Sequence, residues 1–175
     1  ESASCPNIGA CWDAGTLTFM ILGDTCTRAC RFCDVPTGNL NSPDPNEPDK
    51  IALSLSRLNL NFAVITSVDR DDLPDGGAGH WVKTIRAIRG LCPKIKIETL
   101  IPDFQGDTGL IRQVCEARPD VLAHNLETVE SLQMRVRPQC RYKWSLKTLK
   151  IAAENNQTIV KSGLMLGLGE KKGEV

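Results

Sequence analysis

Apolar positions along the chain cluster into short runs separated by stretches with a helical repeat. Residues 18–23 (Thr-Phe-Met-Ile-Leu-Gly), 62–68 (Phe-Ala-Val-Ile-Thr-Ser-Val), 121–126 and 159–166 predict strands. The first two are continuous and rich in apolar or β-branched residues, as parallel strands buried on both faces are. Over residues 94–101, Ile95, Ile97, Thr99 and Ile101 alternate with Lys96, Glu98 and Leu100, which predicts a strand with one buried face. Between these runs the period lengthens. Asp49 is placed to cap a helix reaching about Asn59, with Ile51, Leu55 and Leu58 inward. A second helix is predicted over residues 78–89, with Val82, Ile85, Ile88 and the stem of Arg89 inward. A third carries Leu110, Ile111, Val114 and Cys115, and a short one covers residues 129–134. Ser145 is placed to cap the last, which runs to Ala153. Residues 39–48, rich in Pro, Asn and Asp, read as a surface loop.

Strict alternation of strand and helix implies a parallel sheet with right-handed crossovers. Polar groups follow each strand: cysteines after the first, Asp69 to Asp72 after the second, and Asp103 and Gln105 after the third. Asn125 and Glu127 follow the fourth, and Gly167 and Gly169 the fifth. Barrels gather their active site at that end of the strands, and so do doubly wound sheets, so the periodicity leaves both open.

A chain of 175 residues predicts one domain with a real core. Twenty-one basic and 21 acidic residues give a net charge of zero, which recommends neither a nucleic acid nor an anionic membrane as partner. No apolar run is long enough to span a bilayer, and the opening Glu-Ser-Ala-Ser-Cys shows no signal peptide. Both ends look cut. Of eight cysteines, five fall within the first 33 residues, a distribution that favours metal binding in a reducing compartment over a disulfide scaffold.

The candidate chemistry centres on residues 23–34, Gly-Asp-Thr-Cys-Thr-Arg-Ala-Cys-Arg-Phe-Cys-Asp. Cys26, Cys30 and Cys33 form C-x3-C-x2-C, with Phe32 before the last cysteine. Three soft thiolates without a histidine suit an iron–sulfur cluster. A cubane held by three cysteines leaves one iron open for a substrate or cofactor. The alternative is a structural zinc site, which wants a fourth ligand that is not nearby in sequence.

The pattern C-x3-C-x-(aromatic)-C resembles the radical S-adenosylmethionine enzymes, and the chain resembles the lipoyl synthases among them. The resemblance runs from Ser4 to Glu170. It is carried by Ser-Cys-Pro-Asn-Ile-Gly-Ala-Cys-Trp (4–12), Thr-Ser-Val-Asp-Arg-Asp-Asp (66–72), Ala-His-Asn-Leu-Glu-Thr (123–128) and Ser-Gly-Leu-Met-Leu-Gly-Leu-Gly-Glu (162–170). It implies an α/β fold, a partial (β/α) barrel of the radical S-adenosylmethionine type. This chain would hold about five of its six strand–helix units, over residues 17–175, behind a cysteine-containing extension over residues 1–16.

The resemblance also implies an enzyme that inserts two sulfur atoms, at carbons 6 and 8 of a protein-bound octanoyl-lysine, to form the lipoyl cofactor. Cys26, Cys30 and Cys33 would hold a 4Fe–4S cluster whose open iron chelates S-adenosylmethionine. An electron then yields methionine and a 5′-deoxyadenosyl radical that abstracts hydrogen. Cys5 and Cys11 would be two ligands of a second, sacrificial 4Fe–4S cluster. Its remaining cysteine and serine lie outside this chain, so the auxiliary site would be incomplete. The family usually has Glu where Ala10 stands. For the cofactor, Phe32 completes the motif, Asn125 and Glu127 would bind the ribose, and Arg137 the methionine carboxylate. Ser67 and Asp69 occupy the place of a Gly-Gly-Glu that binds the methionine amine in related enzymes, a triplet this chain lacks. Gly167 and Gly169 would let adenine approach the backbone.

Implied partners are octanoylated lipoyl-carrier domains or H protein, and an electron donor such as ferredoxin or flavodoxin. The implied location is the cytoplasm of a bacterium, or a mitochondrial matrix or plastid. Biotin synthase is the alternative among sulfur-inserting radical enzymes, and a zinc-binding module the alternative outside them. Cys92, Cys115 and Cys140 lack ligand spacing and read as small apolar residues. His124 reads as a satisfied core or loop histidine and is given no role.

Overall fold

A computed structural model describes residues 8–58, 60–155 and 157–175. Five parallel strands, β1 (Thr16–Ile21), β2 (Phe62–Ser67), β3 (Lys96–Leu100), β4 (Val121–Ala123) and β5 (Ile159–Lys161), form one sheet in the order β1-β2-β3-β4-β5. Helices α2 (Glu47–Leu58), α3 (Ala78–Leu91), α4 (Thr108–Glu116) and α6 (Tyr142–Glu154) connect them, with α1 (Ile8–Asp13) ahead of β1 and the short α5 (Gln133–Val136) ahead of α6. The strand order never reverses. Helix α2 packs on α3, α3 on α4 and α4 on α6, so the helices form one layer. A doubly wound sheet would reverse its order at a switch point; this arrangement is an open, partial (β/α) barrel.

The core lies between sheet and helices. Ala63 and Ile65 of β2, Ile97 of β3 and Leu122 of β4 meet Leu55 of α2, Trp81, Ile85 and Ile88 of α3, and Ile111 and Val114 of α4. Trp81 is fully buried and anchors α3, although its position escaped the expected inward face. Strand β3 departs from simple alternation. Glu98 faces away from the helices yet is also buried, because its carboxylate accepts a 2.7 Å hydrogen bond from Lys161 Nζ on β5.

Several boundaries differ from the sequence expectation. Strand β1 begins at Thr16 and stops at Ile21, because Leu22 (φ 69°) and Gly23 (φ 98°) turn left-handed. Helix α2 starts at Glu47 rather than Asp49. Pro48 fits the first turn, and Asp44 accepts from the Asn46 amide just ahead of it. Helix α6 starts at Tyr142, so Ser145 is no cap but lies one turn in, its hydroxyl buried without a partner. Trp144 sets this entry by packing over Gly106, where a Cβ would come within 2.8 Å of the indole. Strand β4 is shorter than residues 121–126 and β5 shorter than 159–166. Past Ala123 and Lys161 the two segments stay paired irregularly, through His124 N to Lys161 O, Glu127 N to Gly163 O and Met165 N to Glu127 O. Gly163 permits this, since a Cβ there would press within 3.0 Å of Asn125 Oδ1.

Register brings Thr66, Leu100, Ala123 and Lys161 to one level. Every loop that leaves a strand therefore emerges along one edge. Of the five non-glycine residues with positive φ among the described residues, Leu22, Phe104, Gln105 and Glu127 stand at that edge and Arg118 elsewhere. Backbone strain collects where function is built.

The opposite edge is tied for stability. Asp120, just before β4, accepts from Ile97 N (3.0 Å), from Lys96 Nζ (2.8 Å) and from Arg89. Burial pushes the Asp120 carboxyl up, but Lys96, the Ile97 amide and Arg89 outweigh it and hold it down to about 2. A carboxylate lowered on folding stabilises above its unfolded value near 3.8 and loses that stabilisation as pH falls through the folded one. Asp120→Asn is expected to cost about 1–2 kcal/mol at neutral pH, after discounting for partial exposure. The gap from the parent should close between about pH 4 and pH 2, as checked by urea unfolding across that range.

Candidate active site

The cysteine loop follows β1 and is pinned from three sides. Cys26 N donates to Pro36 O (2.9 Å) and Thr27 N to Asp69 O (3.0 Å), which ties the loop to the end of β2. Arg31 N donates to Val136 O (2.9 Å), which ties its far side to α5. Cys33 N donates to Cys30 O (3.0 Å) and closes the turn between those two cysteines. The Cys26 sulfur accepts from Asp69 N (3.2 Å) and Arg28 N (3.4 Å), the kind of donors that stabilise a thiolate.

Arg28, between the first two cysteines, is only 2% exposed. All five of its N–H groups are engaged. Nε and Nη2 grip Asp71 (2.7 and 2.8 Å), Nη2 and Nη1 grip Asp103 (2.8 and 2.9 Å), and Nη1 also meets the Cys140 sulfur (3.3 Å). Such double bidentate pairing joins the cysteine loop to the ends of β2 and β3. Asp69, 3.5 Å from Nη1, feels opposing influences. Burial pushes its carboxyl up to about 6; Arg28 pulls it down, while Asp103 and Asp71 push it further up.

Cys140 is not the bystander expected. Fully buried, it sits against Arg28 and Cys30. Its thiol is brought down to about 7, first by the hydrogen bond from Cys30, then, against burial, by Arg137 and Arg28. Donation of the same hydrogen bond raises the Cys30 thiol.

Cys26, Cys30 and Cys33 line one cavity of about 180 Å³, with Phe32 beside them. Ser67 and Asp69 enter from the end of β2, and Asn125 and Glu127 from the segment after β4. Arg137 enters from the turn after α5. It is 7% exposed and donates to the Asn125 and Leu126 carbonyls (3.3 and 3.5 Å), so it is no free surface arginine. Burial raises the Glu127 carboxyl, while the Asn125 side chain and Arg137 lower it. Gly167 and Gly169 lie outside the lining, in a turn whose Gly167 and Leu168 amides donate to Glu170 (2.7 and 2.9 Å). Cys11 is half-buried on α1, away from this cavity, and Cys5 lies outside the described residues. A larger open groove of about 730 Å³ beside Gln105 and Lys147 carries no thiol.

Three thiols around a shared cavity suit a cubane, in which each sulfur takes a different iron. Three residues of the lining, Ser67, His124 and Arg137, each carry a buried polar atom without a partner: Oγ, Nε2 and Nε. Native interiors rarely leave such atoms unpaired. A hydroxyl, a bare ring nitrogen and a guanidinium N–H offer both donors and acceptors, which suits a ligand carrying both. His124 and Cys140 are the lining and contact residues that the sequence reading set aside.

Residues 20–175 match the Radical SAM superfamily, and the chain belongs to it. Membership implies a 4Fe–4S cluster and S-adenosylmethionine, and the three thiols and orphaned atoms fit both. Within the superfamily the chain is similar to the lipoyl synthases of Treponema denticola and Flavobacterium johnsoniae. Each is 53% identical over 174 residues, 99% of this chain and 60% of the relative. The chain thus spans about 60% of the length of these curated relatives. Its fold is similar to that of methylornithine synthase (PylB), with TM-score 0.69 and 15% identity over 91% of this chain and 47% of that one. It is also similar to the [FeFe]-hydrogenase maturase HydG, with TM-score 0.71 and 14% identity over 91% and 36%. Among the described residues no helix is long and apolar enough to cross a membrane.

Proposed function

We propose that this chain carries the radical core of a lipoyl synthase, which inserts two sulfur atoms into a protein-bound octanoyl group. The observation that carries the proposal is the shared cavity of Cys26, Cys30 and Cys33 with its unpartnered polar atoms, in a chain 53% identical to lipoyl synthases. When bound, the cluster and S-adenosylmethionine supply abstraction of hydrogen from an unactivated C–H bond. The chain's residues hold and orient that pair. The three thiolates grip the cluster, and the Asp69 and Arg28 amides hold the Cys26 sulfur ready. Asn125 and Glu127 take the ribose hydroxyls, and Arg137 takes the methionine carboxylate with its planar fork. Ser67 and Asp69 take the methionine amine. Phe32, which completes the cysteine motif, lines the cavity beside the thiolates. Gly167 and Gly169 lie outside the cavity lining, so their expected approach to adenine is left out of this reading.

Residues 1–16 form the auxiliary-cluster segment in this reading, with Cys5 and Cys11 as two of its ligands. The substrate is an octanoylated lipoyl-carrier domain or H protein, and the electron comes from a ferredoxin or flavodoxin. The test is anaerobic incubation of the reconstituted full-length protein with an octanoyl-lysine peptide, followed by mass spectrometry. A product carrying two added sulfurs supports the assignment; unchanged peptide beside intact clusters and consumed S-adenosylmethionine refutes it. The present chain, reconstituted alone, is expected to hold roughly four irons, one cubane's worth. Colorimetric iron analysis giving twice that number would show that the auxiliary site is complete without the rest of the protein.

A further inference from the structure

His124 stands just past β4, its amide still donating to Lys161 O (3.0 Å). The ring is 2% exposed and lines the cysteine cavity. Its Nδ1 lies 2.8 Å from the Ile101 carbonyl oxygen. A carbonyl only accepts, so Nδ1 carries the proton, and in a neutral imidazole Nε2 is then a bare lone pair. Burial keeps the ring neutral, its pKa down to about 4, against the hydrogen bond to Ile101 and the nearby Asp103. Nε2 is buried and has no partner. A fixed, uncharged acceptor without a partner is one that a ligand can complete. The cavity wall includes the apolar Leu100, Ile101 and Pro102, and Ile101 is the residue the ring bonds. An apolar wall suits a neutral donor better than an ammonium, for which Asp69 stands at the cysteine end.

We propose that His124 Nε2 accepts a hydrogen bond from a neutral O–H or N–H of the nucleoside half of the cofactor. The proposal rests on reading the cavity as an S-adenosylmethionine site. Its role is to fix the nucleoside beside Asn125 and Glu127, which leave the same strand. The ring moves no proton, since Nδ1–H stays on Ile101 and Nε2 only accepts.

The test uses the anaerobically reconstituted full chain and S-adenosylhomocysteine as probe. In ¹⁵N NMR of histidine-labelled protein, the Nε2 resonance is expected to move upfield on adding the probe while remaining that of an unprotonated nitrogen. By calorimetry, His124→Phe is expected to weaken probe binding roughly five- to tenfold, the loss of one hydrogen bond. Three analogues, lacking the 2′-hydroxyl, the 3′-hydroxyl or the adenine amine, identify the donor. For one of them His124→Phe should cost nothing further. A resonance that moves, with one such non-additive analogue, supports the proposal. An unmoved resonance overturns it whatever the variant's affinity, and so do three additive analogues. Should His124→Phe fail to fold, the resonance of the unmutated protein decides. If the unmutated protein does not bind S-adenosylhomocysteine at all, the reading of the cavity fails and this proposal with it.

Discussion

Cys30→Ala is expected to abolish stable binding of the cluster and, with it, reductive cleavage of S-adenosylmethionine. Cys26, Cys30 and Cys33 are the three thiols of the cavity lining, and a cluster would be held by two thiolates once one is removed. Outer-shell partners of a metal site typically cost 10–100-fold when lost; a ligand should cost more, so 5′-deoxyadenosine formation should fall by more than about a hundredfold. Visible absorbance after anaerobic reconstitution and chromatography of the nucleoside product read the two losses separately. Cys140→Ala is the informative companion, because Cys140 touches Cys30 from the buried side. It should keep the cluster. A reversed pattern, with Cys30→Ala active and Cys140→Ala colourless, would move the ligand from one cysteine to the other.

The parts of the fold legible in the sequence are those decided by neighbours a few residues away. The run at 62–67 became β2 with little change, since Phe62 to Ile65 are all apolar and Ala63 and Ile65 are fully buried. Ile85 and Ile88 lie at helical spacing and are inward as expected. The misplaced boundaries are decided by distant neighbours. Ser145 reads as a cap until Trp144 is seen resting on Gly106, 38 positions away. Residues 162–166 look like strand, yet Gly163 sits under Asn125 and the ladder breaks there. Glu98 reads as a solvent position because its partner, Lys161, lies two strands away.

The site divides in the same way. A linear motif places three thiols and Phe32 by itself, because one loop aims them. The Asp69-Arg70-Asp71-Asp72 run reads equally well as a solvated loop. In the fold Arg70 is buried, paired with Asp72 and donating to Leu22 O (3.1 Å), while Asp71 serves Arg28. His124 and Cys140 carry no local signal. One gains its significance from a carbonyl on β3's exit, the other from a guanidinium 112 positions earlier. An arginine set between two cysteines of the motif, in a chain with an acidic run after its next strand, was the one available hint.

That arginine yields the second large effect. Arg28→Met is expected to destabilise the chain by about 3–5 kcal/mol, the usual cost of stranding buried partners of a salt bridge. It leaves the fully buried Asp103 and the half-buried Asp71 without their donors. Arg28→Lys should recover only part of this, since one ammonium cannot replace five directed N–H groups. A pH series separates lost charge from lost packing. Arg28 pulls the Asp69 and Asp71 carboxyls down, against burial. Without it their folded-state pKa values rise, and a carboxyl raised above its unfolded value destabilises most when ionised. The deficit of Arg28→Met should therefore shrink as pH falls from about 7 toward 5, whereas a packing defect would keep its size. Urea unfolding of the cluster-free protein at several pH values reads this directly. A pH-independent deficit would mean that the guanidinium's charge does not hold the loop, and that the cysteines rest on packing and backbone hydrogen bonds alone.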